Sequence, residues 1–326
     1  MIAINKRRVV FMFGGQGTQY YHMGLELYKM YPVFRSWMER LDSHVSNITG
    51  LSVLAHLYDD RKSLATNFEN LVYTHPAIFM IQYSLARTLI DEGVEPDLLL
   101  GMSLGEYVSA AVANVVEVEA VLENILIQSK LIESSCERGG MITVLSNADV
   151  YDTSPQLHMA CSLVAINYDG HFVIAGRDTS LSTAESWLNS NRIIHQRLPV
   201  SYAFHNAQVE PIKGAYMYHL QTMTYKAPVV PCLSSATGGV CENINAYLMW
   251  QAIREPMRLS EAVEKLDQKQ EYIYLDLSPS GTLAAIVSKI HGQRANSTYY
   301  PIITKFNQDA LHLRRAIDGC MNGLVL

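Results

Sequence analysis

The sequence has little of what holds small exported folds together. Cysteine is sparse: Cys136, Cys161, Cys232, Cys241 and Cys320 are the five in 326 residues. They are odd in number and lack C-x-x-C spacing, so neither a disulfide framework nor a metal site is signalled. Basic residues are outnumbered, 25 Lys and Arg against 31 Asp and Glu, for a net charge of -6. No Lys/Arg stripe stands out, which argues against nucleic acid as a partner. The short basic spots at Lys6-Arg7-Arg8, Arg192 to Arg197 and Arg314-Arg315 read as solvated faces. No apolar run reaches the about 18 residues needed to span a bilayer, and none has signal-peptide form. Repeats and low-complexity linkers are also missing. The expectation is a soluble chain in a reducing cytoplasm with no membrane partner. What is abundant is apolar residues, 49% of the chain, enough for a large α/β domain carrying an insertion.

The chain is organised around Leu98-Leu99-Leu100-Gly101-Met102-Ser103-Leu104-Gly105-Glu106. The three leucines read as a short strand buried on both faces of a parallel sheet. Glu106 to Val115 has no Gly or Pro and reads as a helix. Between them lies G-x-S-x-G, whose glycines permit a turn tight enough to thrust the serine out at the sheet edge. The helix that follows offers its N-terminal dipole and free N–H groups to an oxyanion. Upstream, the strand Val9 to Phe13 ends in Gly14-Gly15-Gln16-Gly17. That turn lacks the Lys-Ser/Thr of a P-loop and the full G-x-G-x-x-G spacing of a dinucleotide site. A loop N–H after an early strand is the usual second donor of an oxyanion hole, which makes Gln16 a candidate beside Leu104.

Helical patterns cover Met23 to Tyr31 and Val33 to Asn47, and Thr74-His75-Pro76 reads as the start of a long helix reaching about Glu92, with Thr74 as N-cap. Val116 to Glu137 is another helix. From residue 140 to 198 the order is strand, weak helix (Asp149 to Leu157), two strands around Tyr168-Asp169-Gly170, helix and strand. That is the ferredoxin-like split. We therefore expect a large domain made of residues 1–139 and 199–326, interrupted by a ferredoxin-like subdomain at 140–198. His205 falls at the re-entry to the large domain. Read alone it is one of 11 histidines, but a serine hydroxyl is a weak nucleophile until a base takes its proton, and histidine is the usual base. Further on, Pro256 ends a helix near Arg254, and Tyr272 to Leu277 is a strand running into Ser278-Pro279-Ser280-Gly281-Thr282.

Four features together resemble the acyl-CoA:acyl-carrier-protein acyltransferases, the family of malonyltransferases and of polyketide synthase acyltransferases. They are Gly15-Gln16-Gly17, Gly101-x-Ser103-x-Gly105-Glu106, Ala203-Phe204-His205, and the segments Glu255-Pro256-Met257-Arg258 and Leu277 to Leu283. The resemblance implies an α/β-hydrolase-like large domain with a ferredoxin-like insertion, Ser103 as nucleophile, His205 as base, and the amides of Gln16 and Leu104 as oxyanion hole. It implies that a backbone carbonyl near Ala252 orients the histidine. It also implies an acyl group carried on phosphopantetheine, of CoA or of acyl carrier protein, with no bound cofactor.

Departures from that family matter as much. Where members that load malonyl units carry an arginine for the free carboxylate, this chain has Gln128. A neutral amide cannot make the charge-assisted bidentate contact that offsets burying a carboxylate. Arg138 is the nearest stand-in. Met102 replaces the family's usual histidine and His75 its usual glutamine, while Phe204 and Tyr202 are the bulky neighbours of His205. The resulting pocket should suit acetyl or other uncharged acyl chains. Free-standing members of polyketide pathways without the arginine resemble acyl hydrolases that strip unwanted groups from acyl carrier protein, and this is the expected function. Transfer of an acyl unit from CoA to acyl carrier protein is the alternative, and an inactive carrier-docking module a lesser one. An unrelated esterase is disfavoured because no acid is marked between Ser103 and His205.

Overall fold

The computed structural model describes residues 7–266, 270–292 and 297–322; Lys6 of the first basic spot lies outside them. Its larger sheet has six strands. Strands β1 (Arg8–Phe13), β2 (Leu98–Gly101), β7 (Cys232–Ser234), β9 (Tyr272–Asp276) and β10 (Thr298–Pro301) run parallel, and β8 (Gly239–Cys241) returns antiparallel at one edge, in the order β10-β9-β1-β2-β7-β8. Parallel strands release all their following loops at one edge, where open α/β sheets bind ligands. In register, Phe13 pairs with Gly101. The Gly14 turn and Ser103 therefore leave the central strands side by side.

The central strands are apolar throughout because helices cover both faces. Phe11, Phe13 and Leu99 join one core cluster, and Val10, Met12, Leu98 and Leu100 join another. The first cluster includes the helix Leu71–Asp91, buried along most of its length. This helix begins three residues before the expected Thr74. Asn70 is its N-cap, its side chain accepting from Val72 N–H, and Pro76 lies inside the helix. The proline leaves the Val72 carbonyl without its i+4 donor. The weak helix expected from Asp149 to Leu157 is divided before Pro155 into Asp149–Thr153 and Pro155–His158. Further on, the 3₁₀ turn Ala207–Ile212 precedes the α-helix Lys213–Thr222.

The smaller sheet comprises β3 (Gly139–Leu145), β4 (Ser162–Tyr168), β5 (His171–Arg177) and β6 (Ile194–Arg197), all antiparallel, in the ferredoxin-like order β4-β5-β3-β6. It has its own core, with Ile142, Val144, Phe172, Ile174 and Leu181. Its β4 side meets the large domain through Met257 N–H, which donates to the Val164 carbonyl at 2.7 Å.

At the elbow, steric limits account for the sequence. A Cβ on Gly105 would lie 2.0 Å from the Phe13 carbonyl oxygen, and one on Gly101 would lie 2.7 Å from Glu106 Cα. No side chain fits either place. Ser103 between them has φ 56, a left-handed conformation that costs a non-glycine residue about 1–3 kcal/mol and persists only where the surroundings enforce it.

Candidate active site

Ser103 reaches the site because the helix Gly105–Val112 starts immediately behind it. Its Oγ lies 2.9 Å from His205 Nε2. His205 arrives from the other side with φ 63, its N–H donating to the Ile253 carbonyl. Its Nδ1 lies 3.0 Å from the carbonyl oxygen of Glu255. A carbonyl can only accept, so Nδ1 carries the ring proton and Nε2 presents a lone pair to the serine hydroxyl. Burial holds the imidazole down to about 4, against a smaller opposing effect of the Glu255 bond. The neutral ring is therefore the resting form.

The orienting carbonyl is that of Glu255, not Ala252. Ala252 is in the interior of the helix Ala246–Arg254, whereas Glu255 caps it in extended conformation (φ -87, ψ 151). The cause is Pro256, which forces the residue before it out of the helical region and frees its carbonyl.

The glycine turn passes directly over the serine: a Cβ on Gly15 would lie 2.8 Å from Ser103 Cβ. Gln82, buried on the long helix, clamps that turn. Its Oε1 accepts from Gly14 N–H at 2.7 Å and its Nε2 donates to the Gly14 carbonyl at 3.1 Å. On its other side the turn rests against Ser278, held by the buried Asp276 carboxylate that also accepts from Ala284 N–H. Gln82→Leu should leave two buried backbone groups of Gly14 without partners, lowering stability by about 1–3 kcal/mol and loosening the turn. A thermal melt beside an acyl-thioester assay checks this, and an unchanged melting temperature would contradict it. Among the described residues, neither Gln16 N–H nor Leu104 N–H donates to a protein acceptor, which leaves both for a ligand oxygen.

A small pocket adjoins Ser103, walled by Gln16, His75, Leu104, Gln128, Phe204 and Ile253. Two expected wall residues are absent from it. Met102 packs against the cluster containing Leu98 and Leu100 on the opposite face of the sheet, as a neighbour of Ser103 on an alternating chain should. Tyr202 is buried beneath the Arg138 guanidinium, 5.2 Å from its ring centroid. Arg138 is exposed and is not part of the wall. Gln128 is fully buried, with Nε2 donating to the hydroxyls of Tyr107 and Tyr216, each at 2.8 Å. Among the described residues, no Lys or Arg lines this pocket.

Glu106, next to the elbow, is a further residue that sequence reasoning left without a role. Its Oε1 accepts from Ser234, Ser235 and Ala236, tying the loop after β7 to the elbow helix. Burial raises its carboxyl to about 7. The side chain after a strand-end serine motif gave no sign of where these partners would come from.

A protein-family model described as the acyl transferase domain matches residues 10–320. The chain belongs to this acyl transferase family. The acyltransferase is 39% identical over 305 residues to the polyketide biosynthesis acyltransferase homolog PksD of Bacillus subtilis, covering 94% of each chain. It is 37% identical to the homolog BaeD of Bacillus velezensis over 96% of this chain and 97% of that one. Among solved structures it superposes on the acyl transferase domain of SpnD, in complex with 2-(pent-4-yn-1-yl)malonyl, with TM-score 0.85 and 26% identity, covering 98% of the acyltransferase and 77% of that chain. The fold shared with the Coxiella burnetii malonyl CoA-acyl carrier protein transacylase gives TM-score 0.79 at 18% identity. The large α/β domain and ferredoxin-like subdomain of the acyltransferase are those of the family.

Proposed function

We propose that the enzyme is an acyl hydrolase of polyketide biosynthesis that removes short uncharged acyl groups from the phosphopantetheine of acyl carrier protein. Ser103 Oγ attacks the thioester carbonyl while His205 Nε2 takes its proton. The Gln16 and Leu104 amides stabilise the oxyanion. Collapse expels the pantetheine thiolate, which leaves as the thiol with the proton returned by His205, and Ser103 is left acylated. Water, deprotonated by His205, then attacks the acyl-serine; collapse breaks the ester bond, His205 returns the proton to Ser103 Oγ, and the carboxylic acid leaves. The names of PksD and BaeD support the polyketide context; acyl-CoA is a second donor of the same chemistry.

The observation that carries the reading is Gln128 in a cavity without a cation. A malonyl carboxylate there would be desolvated and unpaired, at a cost of several kcal/mol. The test is to incubate acetyl- and malonyl-loaded carrier protein with the enzyme, with and without a second, empty carrier protein. Free acetate in the absence of the second carrier supports hydrolysis. Acetyl groups appearing only on the second carrier would establish transfer instead.

A pH prediction follows from the buried base. Neutral His205 is the active form and its pKa is lowered by burial to about 4, so protonation stops the reaction only in acid. The acidic limb of kcat/KM should fall near pH 4 rather than at the 6.5 of an exposed imidazole. An inflection near 6.5 in acyl-serine formation would contradict this assignment.

A further inference from the structure

Proton accounting around the cavity specifies more than the absence of charge. Tyr107 donates its hydroxyl proton to the Met249 carbonyl at 2.7 Å, so towards Gln128 it can only accept. The amide of Gln128 must then turn its NH2 group to the tyrosines, for an oxygen in that place would face the Tyr107 lone pairs at 2.8 Å. Gln128 Oε1 is the atom left over. It is buried and has no partner among the described residues.

His75, also on the wall, is fixed in the same way by Ser129. Ser129 donates its hydroxyl proton to the Ile125 carbonyl at 2.8 Å and lies 3.2 Å from His75 Nδ1. Ser129 therefore accepts from Nδ1–H, and His75 Nε2 carries a lone pair. Nε2 is likewise buried and unpartnered. Burial alone pushes this imidazole down to about 3, so the ring stays neutral in neutral solution and its single proton sits on Nδ1, against Ser129.

Two residues that wall one small pocket thus each hold a fixed acceptor, Gln128 Oε1 and His75 Nε2, beside the side-chain amide of Gln16, whose Oε1 and Nε2 are also buried without partners among the described residues. Acceptors outnumber donors three to one among these four atoms. A plain alkyl chain leaves all of them unmet. A carboxylate meets only the Gln16 NH2 and sets its charge against the acceptors. A group that brings an O–H satisfies them, and sites that bury unmet polar groups discriminate strongly for the ligand that meets them. We propose that the preferred cargo is a short hydroxyacyl group, whose hydroxyl donates to Gln128 Oε1 or His75 Nε2 while its thioester carbonyl lies at Ser103. This rests on the acyl-enzyme reading above and narrows its substrate class.

The experiment compares butyryl-, 3-oxobutyryl- and both enantiomers of 3-hydroxybutyryl-pantetheine, four thioesters of one chain length, by the rate at which the acyl-Ser103 adduct forms on the full chain. One hydroxybutyryl enantiomer should react about 10-fold faster than butyryl, and faster than 3-oxobutyryl, whose keto oxygen can accept only from the Gln16 NH2. In Gln128→Leu or in His75→Phe, whichever removes the acceptor that the hydroxyl uses, the ratio of hydroxybutyryl to butyryl should fall towards one. Because the ratio is read within each variant, altered folding does not imitate the result. Butyryl equal to or faster than both enantiomers overturns the proposal and leaves the acyl-enzyme reading intact. A ratio that survives both substitutions also overturns it. Failure of all four thioesters to form an adduct overturns the underlying reading and the proposal together.

Discussion

Ser103→Ala and His205→Ala should each abolish thioester turnover, lowering kcat on the order of 10⁶-fold where nucleophile and base act as one unit. The two groups share a single proton transfer across 2.9 Å, and removing either leaves only the oxyanion donors and binding. The double variant should therefore lose little more than the worse single one. Steady-state rates for the three variants check this, together with melting temperatures near that of the parent protein. A His205→Ala enzyme retaining a tenth of its activity would mean that another group takes the serine proton.

Gln128→Arg should create malonyl acceptance. Tyr107 and Tyr216 both accept hydrogen bonds from the glutamine amide, and a guanidinium has five N–H donors. Two can replace the amide contacts and the rest remain for a carboxylate. A hydrogen bond to a charged partner contributes about 1.5–3 kcal/mol, so malonyl-serine formation should rise roughly 10- to 100-fold while acetyl turnover falls, its pocket now holding an unpaired buried charge. Unchanged discrimination would show that the cavity selects by shape alone.

The parts of the site legible in the sequence were those whose geometry is local. Gly101 and Gly105 flank Ser103 because backbone and Phe13 leave no room for a side chain, and a motif records that kind of constraint directly. The ferredoxin-like order was equally readable, since its strand and helix segments follow one another locally between Gly139 and Arg197. Short elements escaped: β7, β8 and β10 are only three or four residues long, too few for a pattern. The start of the long helix was misplaced because Pro76 suggested a first turn, although Asn70 offered a cap. The orienting carbonyl was placed three residues early, yet the signal was present in Pro256, which dictates where the helix lets go of its last carbonyl. Contacts between distant segments were the least readable. Nothing near Gln82 in the sequence announces that it grips Gly14, and nothing near Met102 says which face of the sheet it serves.

The most direct measurement follows the intact mass of the protein after a pulse of acetyl- or malonyl-pantetheine. An acetyl adduct at residue 103 that forms and then disappears in buffer alone, with no malonyl adduct at any time, is the predicted result. A lasting malonyl adduct, or an acetyl adduct that persists until carrier protein is added, would contradict it.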